Sequence, residues 1–196
     1  DENWHVYRVD LENPDTPAVD LTPFPGTRAS FELPKRLPGK AIVQINKRNP
    51  ELFDVYELDI ATGELTLRAE NPGNVVTWLS GPSGDLFTNT LTAEGDVEIS
   101  YWDPATSTLR PVKVYDGSDY PLGIFPVTVT PDGKGIWLPS YENSDRSRLV
   151  VVDVADGTET EIDSHPTFDV GNQMVLPSPF ILCPRTGELI GVRYYG

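Results

Sequence analysis

The chain is 196 residues long, 38% hydrophobic and 23% charged, a balance that suits a folded, soluble domain with a sizeable core rather than a disordered segment. Its formal net charge of −15, and the lack of any basic run longer than a pair such as Lys47-Arg48 or Arg146/Arg148, argue against nucleic acid and against an anionic membrane surface as partners. A single cysteine, Cys183, leaves no internal disulfide, and no apolar run approaches the length of a membrane span.

The first residues, Asp1-Glu2-Asn3-Trp4-His5, do not form a secretory leader. They run at once into Val6-Tyr7-Arg8-Val9-Asp10, an apolar strand closed by an aspartate and followed by the loose loop Asp10–Asp15. The start reads as a cut made inside a larger protein, and the lone thiol leans toward a reducing, cytoplasmic compartment. The strand phrase then returns as Val55-Tyr56-Glu57-Leu58-Asp59, Ile99-Ser100-Tyr101-Trp102-Asp103 and Leu149-Val150-Val151-Val152-Asp153. The closing aspartates are 49, 44 and 50 residues apart, a period that signals stacked units such as propeller blades.

Two further markers hold the same frame. Pro38-Gly39-Lys40-Ala41-Ile42-Val43, Pro82-Ser83-Gly84-Asp85-Leu86-Phe87 and Pro131-Asp132-Gly133-Lys134-Gly135-Ile136-Trp137 are turns running into apolar strands, with proline fixing φ and glycine supplying φ > 0. From each proline to the following aspartate the distance is 21, 21 and 22 residues. After the aspartates, Asp59–Glu64 and Asp153–Thr158 read as hairpin loops with glycine at the left-handed position, while Asp103–Thr108 keeps the frame without it.

These markers predict a four-stranded unit. Strand one is an apolar run such as Val75-Val76-Thr77-Trp78-Leu79 or Pro126-Val127-Thr128-Val129; strand two follows the proline turn; strand three carries the aspartate phrase; strand four is Leu65-Thr66-Leu67 or Val112-Lys113-Val114. No window holds a helical period without a proline or glycine breaking it. The expectation is one all-β domain over 1–196, a β-propeller fragment of about four blade-equivalents of four-stranded antiparallel sheets, with units at about 4–22 (half), 28–69, 75–115, 124–163 and 172–195 (half). An open arc is expected, with terminal edges that invite dimerisation. Whether Pro184-Arg185-Thr186-Gly187-Glu188 is the proline–glycine turn or another hairpin is left open by the sequence.

Asp1–Asp10, Asp20–Gly26, Phe53–Leu65 and Thr130–Lys134, in this order, resemble the β-propeller domain of the prolyl oligopeptidase family of serine peptidases, in particular bacterial dipeptidyl and acylaminoacyl peptidases. The Pro-Asp-Gly-Lys turn is shared with TolB-like propellers. The resemblance implies a propeller that caps an α/β-hydrolase domain and admits only short peptides, with the nucleophile, aspartate and histidine all in that hydrolase domain. The α/β-hydrolase domain of a parent chain and short peptide substrates are therefore the implied partners.

No residue of this chain stands out as catalytic, metal-binding or cofactor-binding. The hydrolase elbow Gly-x-Ser-x-Gly is missing, and Gly81-Pro82-Ser83-Gly84 has the wrong spacing. His5 and His165 are the only histidines, and His165 beside Asp163 and Ser164 cannot form a triad from sequence neighbours. Two histidines and one cysteine give no zinc spacing, and Asp54/Asp59, Asp116/Asp119 and Asp153/Asp156 lack a calcium-loop pattern. The recurrent aspartates read as turn residues, Cys183 as a small buried hydrophobe, and Trp4, Trp78, Trp102 and Trp137 as packing between blades. The functional expectation is a non-catalytic propeller portion that gates peptide access to a hydrolase domain; the alternatives are a stand-alone TolB-like module binding a protein or peptide, and a small propeller glycosidase.

Overall fold

Within each repeat the second and third strands are apolar and the fourth is polar, and the fold follows that gradient. The computed structural model describes residues 3–120, 124–125, 128–171 and 178–196. A two-stranded ribbon, β1 (Tyr7–Arg8) with β2 (Val19–Asp20), comes first. Three four-stranded sheets follow: β3 (Ala29–Glu32), β4 (Lys40–Asn49), β5 (Leu52–Asp59) and β6 (Leu65–Ala69); β7 (Val75–Ser80), β8 (Leu86–Leu91), β9 (Val97–Asp103) and β10 (Thr108–Tyr115); and β11 (Thr128–Val129), β12 (Gly135–Ser140), β13 (Arg148–Asp153) and β14 (Glu159–Asp163). Each is an antiparallel meander in chain order. Residues 126–127 of the expected first strand of the third sheet lie outside the described residues.

Burial explains the composition of each strand. β12 is buried along its whole length and β8 along all but its last residue, because sheets cover both of their faces. The outer strands β6, β10 and β14 are largely exposed. In every sheet the third-to-fourth strand pairing carries a register shift, at Val55/Tyr56, Pro111/Lys113 and Leu149/Val150. A bulge repeated at this place adds local twist, and at an outer edge strand it accommodates Pro111, which has no ladder donor to give.

Four apolar clusters join the units in sequence. Val6 and Leu21 of the ribbon pack with Val43, Ile45 and Leu58; Ile42 and Val55 with Trp78 and Trp102; Phe87 and Ile99 with Ile136, Val150 and Val152; and Trp137 and Leu149 with Val170 and Phe180. The C-terminal unit contains β15 (Asp169–Val170) paired with β18 (Tyr194–Tyr195), and β16 (Phe180–Leu182) paired with β17 (Leu189–Val192). It begins with β15, ahead of the 172–195 range read from the sequence; residues 172–177 lie outside the described residues. No strand of the N-terminal ribbon pairs with the C-terminal strands, so the described sheets form an open arc of an all-β propeller. The described residues contain no helix, and none is long and apolar enough to cross a membrane.

Candidate functional site

The turns after the first strands line one shared cavity, the axial cavity, and very few residues shape each of them. In the second sheet Gly84, at φ +81°, donates its N–H to the Gly81 carbonyl (3.0 Å), and Gly81 donates to Asp85 (2.7 Å). In the third sheet Gly133, at φ +79°, donates to Thr130 (2.9 Å), while the Asp132 carboxylate accepts from Lys134 N–H (3.0 Å) and from the Thr130 hydroxyl (2.5 Å). These bonds, the Thr130 hydroxyl foremost, hold the Asp132 carboxyl below its ordinary range.

The C-terminal turn differs. Cys183 N–H donates to Glu188 O (2.8 Å) and Gly187 N–H to Cys183 O (2.7 Å). The same two bonds close Asp59–Glu64 (2.9 and 2.8 Å) and Asp153–Thr158 (2.9 and 2.8 Å). The Pro184 turn thus has the geometry of a third-to-fourth-strand hairpin, but it stands among the axial turns.

Four turns meet in a ring. Arg36 N–H donates to Pro82 O (2.8 Å), a methyl group placed on Gly133 would lie 4.0 Å from the Pro82 ring, and one on Gly187 would lie 3.7 Å from the Pro131 ring. The ring closes through two long side chains of the first turn: Arg36 Nη2 donates to Pro131 O (3.0 Å), and Lys35 Nζ donates to Pro184 O (3.2 Å), a contact across 149 residues of chain. They surround a cavity of about 700 Å³ whose wall includes Pro34, Pro82, Pro131 and Pro184 and whose rim carries Lys35, Arg36 and Arg185. Glu32 also faces this cavity, but it accepts from Ser80 N–H (3.0 Å) and from the Ser80 hydroxyl. Cys183 lines the cavity too; it is half-buried, and hydrogen bonds from Thr186, side chain first, hold its thiol below the ordinary range.

A second polar cluster lies between the second and third sheets. Glu159 accepts from Tyr115 Oη (3.0 Å) and from Ser140 Oγ (3.0 Å), and Tyr120 Oη lies 3.3 Å from Ser140 Oγ. Arg148 Nη2 stands 3.5 Å from Glu159, and Lys113 pairs with Glu142 at 2.7 Å. Burial pushes the Glu159 carboxyl up; the Tyr115 and Ser140 hydrogen bonds oppose this and the neighbouring Glu142 adds to it. Burial likewise raises the Tyr115 phenol.

The residues weighed from the sequence fall into turns and packing. The Asp10 carboxylate accepts from Glu12 and Asn13 N–H, Asp59 from Thr62, Asp103 from Ala105 and Asp153 from Ala155, each at 2.8–3.2 Å. Asp116 binds Ser118, and Asp156 binds Thr158. His165 Nδ1 accepts from Thr167 and Phe168 N–H, and its ring stacks on Phe168 at 4.7 Å. His5 Nδ1 lies 2.6 Å from Asp20 Oδ2. Trp78 and Trp102 meet edge to face at 5.9 Å between the first and second sheets, and Trp137 is buried against the C-terminal unit. Trp4 instead is 66% exposed. Among the described residues no group of three or more His, Cys, Asp or Glu is placed to hold a metal ion. The axial cations were not singled out in the sequence: Lys35-Arg36 is an ordinary pair there, and Arg185 joins it only through the fold.

No family model matches the chain. Dipeptidyl aminopeptidase BIII of Pseudoxanthomonas mexicana is 26% identical over 188 residues, covering 91% of this chain and 26% of that protein. TolB from Acinetobacter baumannii superposes with a TM-score of 0.58 at 16% identity, over 95% of this chain and 42% of TolB. The chain has the fold of a propeller portion, and its sequence is similar to part of a dipeptidyl aminopeptidase. It spans about a quarter of the length of the curated relative it matches. An oligogalacturonate lyase in complex with manganese superposes with a TM-score of 0.54 at 16% identity, over 76% of this chain and 40% of the lyase. At such identities the two structures speak for the propeller fold alone.

Proposed function

We propose that this chain is the part of a serine peptidase that filters access to its catalytic centre, with the nucleophile, aspartate and histidine carried by an α/β-hydrolase domain outside these 196 residues. The observation that carries the reading is the four-turn ring around the axial cavity, in a chain similar along 91% of its length to a dipeptidyl aminopeptidase. Turn backbones and two bridging cations bound the cavity, and about 700 Å³ suits a few residues of extended peptide but excludes a folded protein.

The reading is tested on the full reading frame and on the 196-residue chain together. The full product should react with a serine-directed fluorophosphonate and cleave short peptide substrates, with its nucleophile in a Gly-x-Ser-x-Gly segment beyond Gly196. The chain alone should do neither. Turnover by the chain alone, or a reading frame that stops at Gly196, would overturn the proposal; the second result would favour a stand-alone binding module.

A further inference from the structure

We infer that the four-turn ring is an anion site whose ligand is a carboxylate of a short acidic peptide. This rests on the reading of the ring as a peptide passage. Lys35, Arg36 and Arg185 converge on one cavity from turns 149 residues apart in the chain. Glu32 is the only carboxylate among the lining residues, and Ser80 already engages it through both its N–H and its hydroxyl. In a chain with 30 acidic and 15 basic residues, three cations without an acidic partner at one place run against the prevailing charge. Among the described residues none of the three takes part in an ion pair.

The bonds these cations do make leave them available. Lys35 and Arg36 each donate to a proline carbonyl, and a neutral acceptor leaves the full positive charge in place. An ammonium and a guanidinium both carry several donors, so most remain free after one bond each. Those same bonds hold the two side chains across the cavity before any ligand arrives, which removes part of the ordering cost of binding. The four prolines of the wall offer no N–H and present rigid apolar rings, while Lys35, Arg36 and Arg185 are exposed, so an anion meets the cations at the solvent-facing rim through charge-assisted bonds. Guanidinium geometry favours a planar, two-oxygen acceptor, which a peptide carboxylate supplies.

Cys183 gives a direct readout, because it lines the cavity and is the only cysteine. The rate of its alkylation by N-ethylmaleimide, an uncharged reagent, is measured by mass spectrometry with and without an N-acetylated tetrapeptide containing two aspartates. The comparison peptide has asparagine at those positions and an amidated C-terminus. The aspartate peptide at saturation should slow alkylation by about fivefold or more, and the asparagine peptide should not. Protection should weaken in 0.5 M salt, where the Debye length shrinks to roughly 4 Å. Arg185→Gln breaks no hydrogen bond among the described residues, so it tests charge without loosening the ring. Arg185→Gln and Lys35→Gln should each lower protection, and Lys35→Arg should restore it, with circular dichroism unchanged. Equal protection by both peptides, or protection untouched by these substitutions, overturns the anion site and leaves the passage reading standing. Protection by neither peptide overturns both.

Discussion

The carboxylate of Asp54, which has no accessible side-chain surface, accepts from both Nε and Nη2 of Arg48 at 2.8 Å. It also accepts the Asn71 backbone N–H at 2.8 Å, and Arg48 reaches on to the Asn71 carbonyl at 3.1 Å. The pair therefore fixes the connection between the first and second sheets as well as strand β5. Replacing Asp54 by alanine strips Arg48 and the Asn71 N–H of their acceptor together. The expected cost is about 3 kcal/mol of unfolding free energy, read from urea titration. Arg48→Met should cost at least as much, because it leaves the fully buried Asp54 carboxylate without its counter-charge, whereas Arg48, 40% exposed, can turn to water when Asp54 is removed.

Ser107 sits at φ +55°, at the position that Gly63 and Gly157 occupy in the equivalent hairpins at φ +79° and +74°. A side chain in the left-handed region is strained by roughly 1–2 kcal/mol, part of which glycine returns as extra freedom of the unfolded chain. Ser107→Gly should therefore raise stability by about 0.5–1 kcal/mol. Gly157→Ser should do the reverse and more, because a Cβ there would lie 2.0 Å from the Val112 carbonyl oxygen. Paired denaturation curves of the two variants give both signs in one experiment.

The fold was legible because its determinants are local and repeated. A strand-closing aspartate that caps its own hairpin, as Asp59 does for Thr62 N–H, leaves a mark in the sequence once per unit. The axial site was not legible for the opposite reason. Lys35 and Arg185 carry no spacing signal, and they meet only because two turns far apart in the chain approach one axis. The Asp54–Arg48 pair falls between these cases: Asp54 stands close to Asp59 in the sequence, yet the two have unrelated surroundings. Asp59 takes Lys40 (2.9 Å) and Thr62 as partners, which hold its carboxyl down to about 2, the Thr62 backbone bond contributing most. The C-terminal turn shows the limit of motif reading, since Thr186-Gly187-Glu188-Leu189 repeats Thr62-Gly63-Glu64-Leu65 and takes its hydrogen bonds, but at a different place in the unit.

Glu159 should give the chain an acid-side pH signature. Burial raises its carboxyl above the ordinary 4.5, so the folded state holds this proton more tightly than the unfolded state. Its contribution is favourable at low pH and is lost as pH rises from 4.5 through the raised value. The groups facing it are Tyr115, Tyr120, Ser140, Glu142 and Arg148, with Lys113 paired to Glu142. Asp10, Asp59, Asp116, Asp132, Asp156 and Glu161 are shifted down and act with the opposite sign, losing stability as pH falls. They are common to both proteins, so the difference between wild type and Glu159→Gln isolates Glu159. The variant should be the more stable at pH 7, and its advantage should vanish below pH 4.5. A difference that does not change with pH would assign Glu159 a purely steric role.

Val9 shares its place in the repeat with Leu58, Trp102 and Val152. Those three are 0%, 7% and 0% exposed, whereas Val9 is 59% exposed. The cause lies in which way the position faces. Leu58 packs against the ribbon before its sheet, Trp102 against the first sheet and Val152 against the second, so each looks back to the preceding unit. On the ribbon the same direction leads to Val9 and Tyr7, the latter 57% exposed, with His5 stacked on Tyr7 at 6.4 Å. Chemistry that is buried in three copies is left facing water in the fourth. A surface shaped to receive a propeller sheet should find one in concentrated solution, in the form of a second copy of this chain. Sedimentation velocity should show association that strengthens with protein concentration, and Val9→Glu should return the chain to a monomer without lowering its unfolding midpoint. A wild-type chain that stays monomeric at millimolar concentration would show that the exposed face has no affinity for a second copy.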